Sequence, residues 1–197
     1  MDDLDDMDRR RWDAVDRRQW DGMDRRLLSA LHERGTDPRV AAVARALSRS
    51  GEHGALWLAA GLTGAVADRE RRGAWLRGTA LTATAHLASM GVKRIARRPR
   101  PAHVTPLVRT AGRHSFPSSH ATAATAAALA YGAAARGTLG ARLVPALAAA
   151  MCLSRMVVGV HYPSDVAAGA ALGALTARLG ARWIEAGIEA GIEVGHG

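Results

Sequence analysis

Lys93, Arg100, Pro117-Ser118-Ser119-His120, Ser154-Arg155, His161 and Asp165 set three fixed cations, a hydroxyl-bearing turn, two imidazoles and a carboxylate within 73 positions. These are the parts that displacement at phosphorus needs without a metal. The phosphoryl oxygens must be neutralised, a nucleophile must stand in line, and the leaving oxygen must receive a proton. Asp165 follows His161 after three residues, and His161 follows Ser154-Arg155 after five. Pro163 predicts a helix beginning near Tyr162, with Asp165 in its first turn and His161 just outside it. A carboxylate that holds one imidazole N–H fixes the tautomer and leaves the other nitrogen free to attack phosphorus. Arg155 has the fork geometry to clamp two phosphate oxygens.

Pro117-Ser118-Ser119-His120 opens onto the helical run Ala121–Ala135. The first turn of a helix presents free N–H groups and a positive dipole end, a natural seat for phosphate. There Ser118 can offer a hydroxyl, Ser119 a backbone donor and a second hydroxyl, and His120 a proton for the leaving alcohol. The same tripeptide is also an ordinary helix-capping sequence. Lys93 is the single lysine among 26 arginines, and it lies with Arg100 in the cationic stretch, where a compact point charge differs from a guanidinium fork. His32, His53, His86, His103, His114 and His196 form no metal-ligand spacing with Cys, Asp or Glu, so neither a metal nor a cofactor is expected. Arg113 and His114 lie near enough to the Pro-Ser-Ser-His turn to reach a substrate head group.

The net charge of +9 arises entirely after residue 50: residues 1–50 hold 11 Arg and 11 acids, and the rest hold 16 Lys/Arg against 7 acids. Lys93–His120 carries seven cations and no carboxylate, which calls for an anionic partner. Nucleic acid is not that partner, because Phe116 is the loop's one aromatic and stacking platforms are missing. The single cysteine, Cys152, rules out an internal disulfide and reads as a small core residue. The acidic N-terminus lacks an apolar core, so a cleaved secretory signal is not expected.

The elements that must position these groups follow from breaks in the pattern. Residues 1–50 form a charged amphipathic lead-in. In it Arg11–Arg18 is echoed by Gln19–Arg26, Trp12, Trp20, Met23, Leu27 and Leu28 give an incomplete apolar stripe, and Val40–Ser48 forms a short helix. A core at 51–185 holds five weakly apolar segments, about 54–67, 74–92, 121–135, 138–158 and 163–183, and 186–197 is a frayed tail. The mean hydropathy of -0.06 favours a soluble helical bundle. Ala121–Ala135, however, lacks the polar face of a surface helix. Gly169-Ala170-Ala171-Leu172-Gly173 suits close helix contact in lipid, and Arg77, Arg142 and Arg178 sit where they can snorkel. The expectation is an integral membrane protein.

Together, Lys93-x6-Arg100-Pro101, Pro117-Ser118-Ser119-His120 and Ser154-Arg155-x5-His161-x3-Asp165 resemble the three-part signature of the type 2 phosphatidic acid phosphatase (PAP2) superfamily over about residues 50–180. Ser119 stands where that signature usually has Gly. The resemblance implies an all-α, multi-span membrane helical bundle of the PAP2/haloperoxidase type, with about five transmembrane helices plus N-terminal amphipathic helices. It also implies metal-independent dephosphorylation through a phosphohistidine. Lys93, Arg100 and Arg155 would hold phosphate with Ser118 and Ser119; His161 would be nucleophile, Asp165 its orienting partner and His120 the acid/base. The expected substrate is a lipid phosphate monoester or diphosphate (phosphatidate, phosphatidylglycerophosphate or a polyprenyl (di)phosphate) met by a multi-pass enzyme of the inner cell membrane. A vanadate-dependent haloperoxidase, whose anion pocket is similar, is the alternative.

Overall fold

The computed structural model describes residues 21–110, 112–183 and 185. The first copy of the Arg/Asp repeat, Trp12 and Trp20, and the tail from 186 lie outside the described residues. Among the described residues the chain has seven principal helices, no strand, and one isolated antiparallel bridge between Pro99 and His114. Helix α1 covers 21–33. It is followed by α2 (Pro38–Ser50), α3 (Ala55–Ala67), α4 (Arg72–Ala96), α5 (Ser119–Ala134), α6 (Gly140–Val157) and α7 (Pro163–Leu179).

Local chemistry sets the boundaries. The Asp37 carboxylate accepts from the Arg39 and Val40 N–H groups, and Pro38 occupies the first turn of α2. Ser118 caps α5. Tyr162 and Asp165 form a reciprocal cap on α7, with Pro163 in its first turn, as the spacing anticipates. The five apolar segments all become helices, and the long basic stretch Arg97–Ser118 becomes the loop between α4 and α5.

Helix α5 is the axis of the bundle, packed against α4, α6 and α7. Its circumference is buried in alanine, with Tyr131 filling the space between α3 and α4, where its hydroxyl donates to the Trp57 carbonyl at 2.9 Å. The absence of a polar face on Ala121–Ala135 therefore has a cause other than contact with lipid: neighbouring helices cover it. Two glycines bring α7 closest. A Cβ at Gly169 would stand 2.5 Å from the Ser118 carbonyl oxygen, and one at Gly173 2.3 Å from that of Thr122. The small-residue motif thus does its packing between α7 and α5.

Large apolar side chains lie outside. Leu62 and Val66 on α3, Leu87 and Ile95 on α4, Leu143 and Leu153 on α6, and Leu175 and Leu179 on α7 are all more than half exposed. A small-residue interior beneath such an apolar exterior is the reverse of a water-soluble bundle and suits an exterior solvated by lipid. By length and composition, Gly140–Val157 is the one described helix long and apolar enough to cross a bilayer alone. At 1.5 Å per residue the 13-residue α3 reaches only ~20 Å, short of a ~30 Å hydrocarbon core. Helix α4, with 25 residues, is long enough but carries Arg72, Arg77, Lys93 and Arg94. Of the five expected spans, four thus depend on the bundle rather than on their own hydropathy.

Leu28 of α1 is fully buried against Ala121, Met156 and Val166, whereas Met23 and Leu27 are half exposed. The lead-in is therefore docked on the main body at this point, and α2 packs on α6.

Candidate active site

Main-chain hydrogen bonds stitch the three sequence clusters together. The Ser115 N–H donates to the Arg98 carbonyl at 2.8 Å, joining the start of the basic loop to its end. The Ser118 N–H donates to the Asp165 carbonyl at 2.9 Å, joining the start of α5 to the first turn of α7. Lys93, from the last turn of α4, donates to the Ser115 carbonyl at 3.3 Å. Gly159, with φ +75, lets the chain reverse directly between α6 and His161, in a region that side-chain-bearing residues rarely occupy.

These connections surround a cavity of about 250 Å³. Lys93, Arg100, Ser119, His120, Arg155 and His161 all line it. Arg100 donates to the Val160 carbonyl at 2.9 Å and lies 3.4 Å from His161 Nε2. A guanidinium only donates, so this contact calls for the tautomer with a bare Nε2 and the proton on Nδ1. That Nδ1 stands 3.5 Å from Asp165 Oδ2, an ion-pair distance longer than a formed hydrogen bond, and it has no hydrogen-bond partner among the described residues. Such contacts commonly tighten when substrate binds. Arg155, 3% exposed, donates to the Ser48 hydroxyl, and its Nε is buried without a partner among the described residues. A buried donor left over beside the cavity is suited to an oxyanion.

One placement differs from the sequence expectation. The Ser118 hydroxyl does not line the cavity: the residue is fully buried and its Oγ accepts from the Ala121 N–H at 3.4 Å, the capping role. Asp165, named as the orienting partner of His161, stands behind that ring and does not line the cavity. It is fully buried, with Oδ1 accepting from Arg98 at 2.9 Å and Oδ2 accepting from the Tyr162 N–H at 2.9 Å.

Several residues in or behind the site have no counterpart among the sequence candidates. Ser48, at the end of α2, gives its hydroxyl to Arg155 and its carbonyl to His120 Nε2 at 3.1 Å. Glu52, His53 and His86 also line the cavity. Arg98 lies over the Tyr162 ring, 4.2 Å from its centroid, and pairs with Asp24 of α1 at 2.9 Å. Asp24 also accepts from the Ser164 N–H at 2.9 Å and from its hydroxyl. Arg113 and His114, proposed for head-group contact, do line the cavity.

The charges act in opposite directions at the two ends of the His161–Asp165–Arg98 chain. Burial, then the positive charges of Arg155, Lys93 and Arg100, hold the His161 imidazole well below its ordinary value, against a smaller opposing effect of the Ser115 carbonyl. His161 is therefore neutral at physiological pH, as a nitrogen nucleophile must be. Burial lowers Arg100 too, with the Asp165 charge opposing. For Arg98 the cost of burial is outweighed by Asp24 and Asp165, which raise it above its ordinary value. Among the described residues no group of three or more His, Cys, Asp or Glu has the geometry of a metal centre.

The PAP2 superfamily model matches residues 74–188, more than half of the chain. The chain belongs to the PAP2 superfamily. It is 48% identical over 146 residues to the decaprenylphosphoryl-5-phosphoribose phosphatase of Mycobacterium tuberculosis (strain H37Rv), covering 73% of this chain and 78% of that protein. It is 46% identical over 134 residues to the enzyme of the same name from Mycolicibacterium smegmatis, covering 67% and 72%. The fold is similar to the crystal structure of a transmembrane PAP2 type phosphatidylglycerolphosphate phosphatase from Bacillus subtilis. That likeness has a TM-score of 0.56 at 22% identity and covers 85% of this chain and 94% of that one. This PAP2 chain is a phosphoric monoester hydrolase of the lipid phosphatase type and a membrane protein; of the two activities expected from the anion pocket, the names of its relatives carry the phosphatase.

Proposed function

We propose that this PAP2 phosphatase removes the terminal phosphate from a polyprenyl-linked sugar phosphate of the decaprenylphosphoryl-5-phosphoribose kind, through a phosphohistidine on His161. One observation carries the reading: a neutral, buried imidazole opens onto the same cavity as Lys93, Arg100 and Arg155. In the first half-reaction Nε2 of His161 attacks phosphorus and forms an N–P bond while the P–O bond to the sugar breaks. His120, as an imidazolium that also carries a proton on Nδ1, gives that proton to the departing alkoxide. The developing positive charge on the His161 ring is met by Asp165, and the charge on the three equatorial oxygens by the Lys93, Arg100 and Arg155 side chains with the Ser119 N–H at the start of α5. In the second half-reaction His120 takes a proton from water, the hydroxide displaces the histidine from phosphorus, and inorganic phosphate leaves. The Ser48 carbonyl, which accepts from His120 Nε2, turns the other ring nitrogen toward these proton transfers.

The catalytic core is residues 51–185, with α1 and α2 as a lead-in that buttresses it. The enzyme is a multi-pass protein of the cytoplasmic membrane, a placement supported by the apolar exterior of α3, α4, α6 and α7. A head group at the bilayer surface then reaches the basic loop while its chain stays in lipid.

The test is phosphate release by protein purified in detergent, with and without EDTA, from decaprenylphosphoryl-5-phosphoribose, phosphatidylglycerophosphate, phosphatidate and a polyprenyl phosphate. The expected result is EDTA-insensitive release, fastest from the sugar lipid. No release from any substrate, or a strict Mg²⁺ requirement, overturns the reading.

A further inference from the structure

The cavity carries more positive charge than one phosphoryl group needs. Lys93, Arg100 and Arg155 surround His161, and their charges are the ones that depress its protonation. Arg109 and Arg113 also line the cavity, both exposed, and neither is hydrogen-bonded or ion-paired with another described residue. Glu52 is the one carboxylate among the lining residues. A phosphomonoester dianion against three inner cations leaves the outer two arginines with nothing to compensate them.

Those two arginines are not on a free loop. Ahead of Arg109, the Leu107 N–H donates to the Val158 carbonyl at 2.9 Å, and Leu107 and Val108 pack on buried Val157 and Val158. Between them, Arg100 Nε donates to the Gly112 carbonyl at 2.8 Å. Just after Arg113, the His114 carbonyl accepts from Lys93 Nζ at 3.5 Å. The outer pair is thus pinned to the same two residues, Lys93 and Arg100, that face the reacting phosphate. His53, which also lines the cavity, is held at φ 54, a left-handed conformation that side-chain-bearing residues seldom adopt, next to Glu52.

We infer that Arg109 and Arg113 form a second anion subsite, for a phosphodiester that is not hydrolysed and stands one sugar or polyol unit away from the scissile monoester. Glu52 and His53 then face the hydroxyls of the unit between the two phosphates. The inference rests on the phosphatase reading and narrows it. Lipids with both a bridging phosphodiester and a terminal monoester fit, as in a prenyl-phosphoryl sugar phosphate or phosphatidylglycerophosphate. Phosphatidate and polyprenyl monophosphate fill only the inner site.

The experiment compares wild type, Arg109→Gln/Arg113→Gln and Arg109→Lys/Arg113→Lys in uncharged detergent micelles, with kcat and KM measured on phosphatidylglycerophosphate and on phosphatidate. The wild type is expected to favour the two-phosphate lipid. The Gln pair is expected to lower the ratio of the two kcat/KM values by about 10- to 100-fold, chiefly through KM, as the loss of charge-assisted bonds to a phosphate does. The Lys pair is expected to recover part of that ratio. An equal loss on both lipids, or an unchanged ratio, overturns the subsite. A second arm repeats the assay in anionic vesicles: an effect found there and absent in neutral micelles means the arginines meet phosphates of the bilayer surface, which also overturns it. A wild type that releases phosphate from neither of these lipids nor from decaprenylphosphoryl-5-phosphoribose defeats the phosphatase reading itself, and the subsite with it.

Discussion

Arg98 donates from Nη1 to Oδ1 of Asp165 at 2.9 Å, and its Nη2 donates to Asp24 at 2.9 Å. One guanidinium therefore ties the carboxylate behind His161 to a carboxylate on α1. Asp165 is fully buried and needs these partners, since an ionised carboxylate out of water is costly unless it is paired and hydrogen-bonded. Replacing Arg98 by Ala is expected to cost about 2–3 kcal/mol of stability, at or just below the range for a broken buried pair, because a quarter of Arg98 is solvent-accessible. Asp24→Asn keeps the shape and loses the charge, so its effect is smaller. In both variants kcat is expected to fall with KM little changed, since the substrate's charge is met elsewhere. Thermal unfolding in detergent with steady-state kinetics reads both quantities. A raised KM at constant kcat would place Arg98 among the phosphate ligands instead.

The nucleophile has a direct test. His161→Ala is expected to abolish turnover, and acid-quench handling must be avoided in the wild type because a phosphoimidazole is acid-labile and base-stable. Alkaline quench after mixing with labelled substrate is expected to trap label on the wild-type protein and none on the variant. Asp165→Asn keeps the ring's neighbour but removes its charge, with an expected loss of kcat of about 10³–10⁴-fold, as when an orienting carboxylate is neutralised elsewhere. Full activity in either variant removes that residue from the scheme.

The depressed His161 makes stability pH-dependent with a defined sign. Unfolded, the ring titrates near 6.5; folded, it stays neutral well below that. Between the two values the unfolded state binds one more proton than the folded state, so stability falls as pH drops below about 6.5, and His161 contributes no slope above it. His161→Asn removes this term. The wild-type melting midpoint should therefore fall more steeply than that of the variant between about pH 6.5 and pH 5, with parallel lines from pH 7 to 8. Parallel lines throughout would mean that the ring is charged, or exposed, in the folded protein.

What could be read in the sequence, and what could not, separates along a physical line. Pro163 and the Pro117-Ser118 cap act within a few residues of themselves, so the starts of α5 and α7 and the offset between His161 and Asp165 were legible. Ser48, Asp24 and Arg98 act across 107, 140 and 67 positions respectively, on Arg155, Ser164 and Asp165. Nothing local distinguishes Ser48 from other serines of an Ala-rich helix, or Arg98 from the other cations of its loop. Ser118 shows the converse: one hydroxyl serves either a helix N-terminus or an anion, and only its burial against the Asp165 main chain decides for the cap. The uniformly apolar α5 had two solutions, lipid or a surrounding ring of helices, and packing selects the second.

Ser48 provides a test of that distant contact. Its hydroxyl accepts from Arg155, and the same residue's carbonyl holds His120. Ser48→Ala removes the hydroxyl and leaves the carbonyl, so the guanidinium loses its anchor while the acid/base ring keeps its own. KM is expected to rise several-fold, with kcat falling less, and the pH profile of kcat should keep its shape. A shifted pH profile would show that the hydroxyl acts on His120 rather than on Arg155.

The seating of α7 on α5 gives a prediction with an internal control. A Cβ at Gly173 would lie 2.3 Å from the Thr122 carbonyl oxygen, and one at Gly169 2.5 Å from that of Ser118, so the obstacle in each case is backbone and cannot swing away. Ala at either position must push α7 from α5. At Gly169 that displacement strains the Ser118–Asp165 main-chain bond that joins two parts of the site. The expected cost is about 1–3 kcal/mol for overpacking, with a loss of activity larger for Gly169→Ala than for Gly173→Ala. Gly91 and Gly132 also lie inside helices, α4 and α5, but a Cβ at either meets nothing within 4 Å. There Ala removes the conformational freedom of glycine at no steric cost and is expected to stabilise by about 0.5–1 kcal/mol. Four melting curves and four rates decide the matter: if all four substitutions behave alike, α7 is not seated on α5 through these glycines, and the site's scaffold is held some other way.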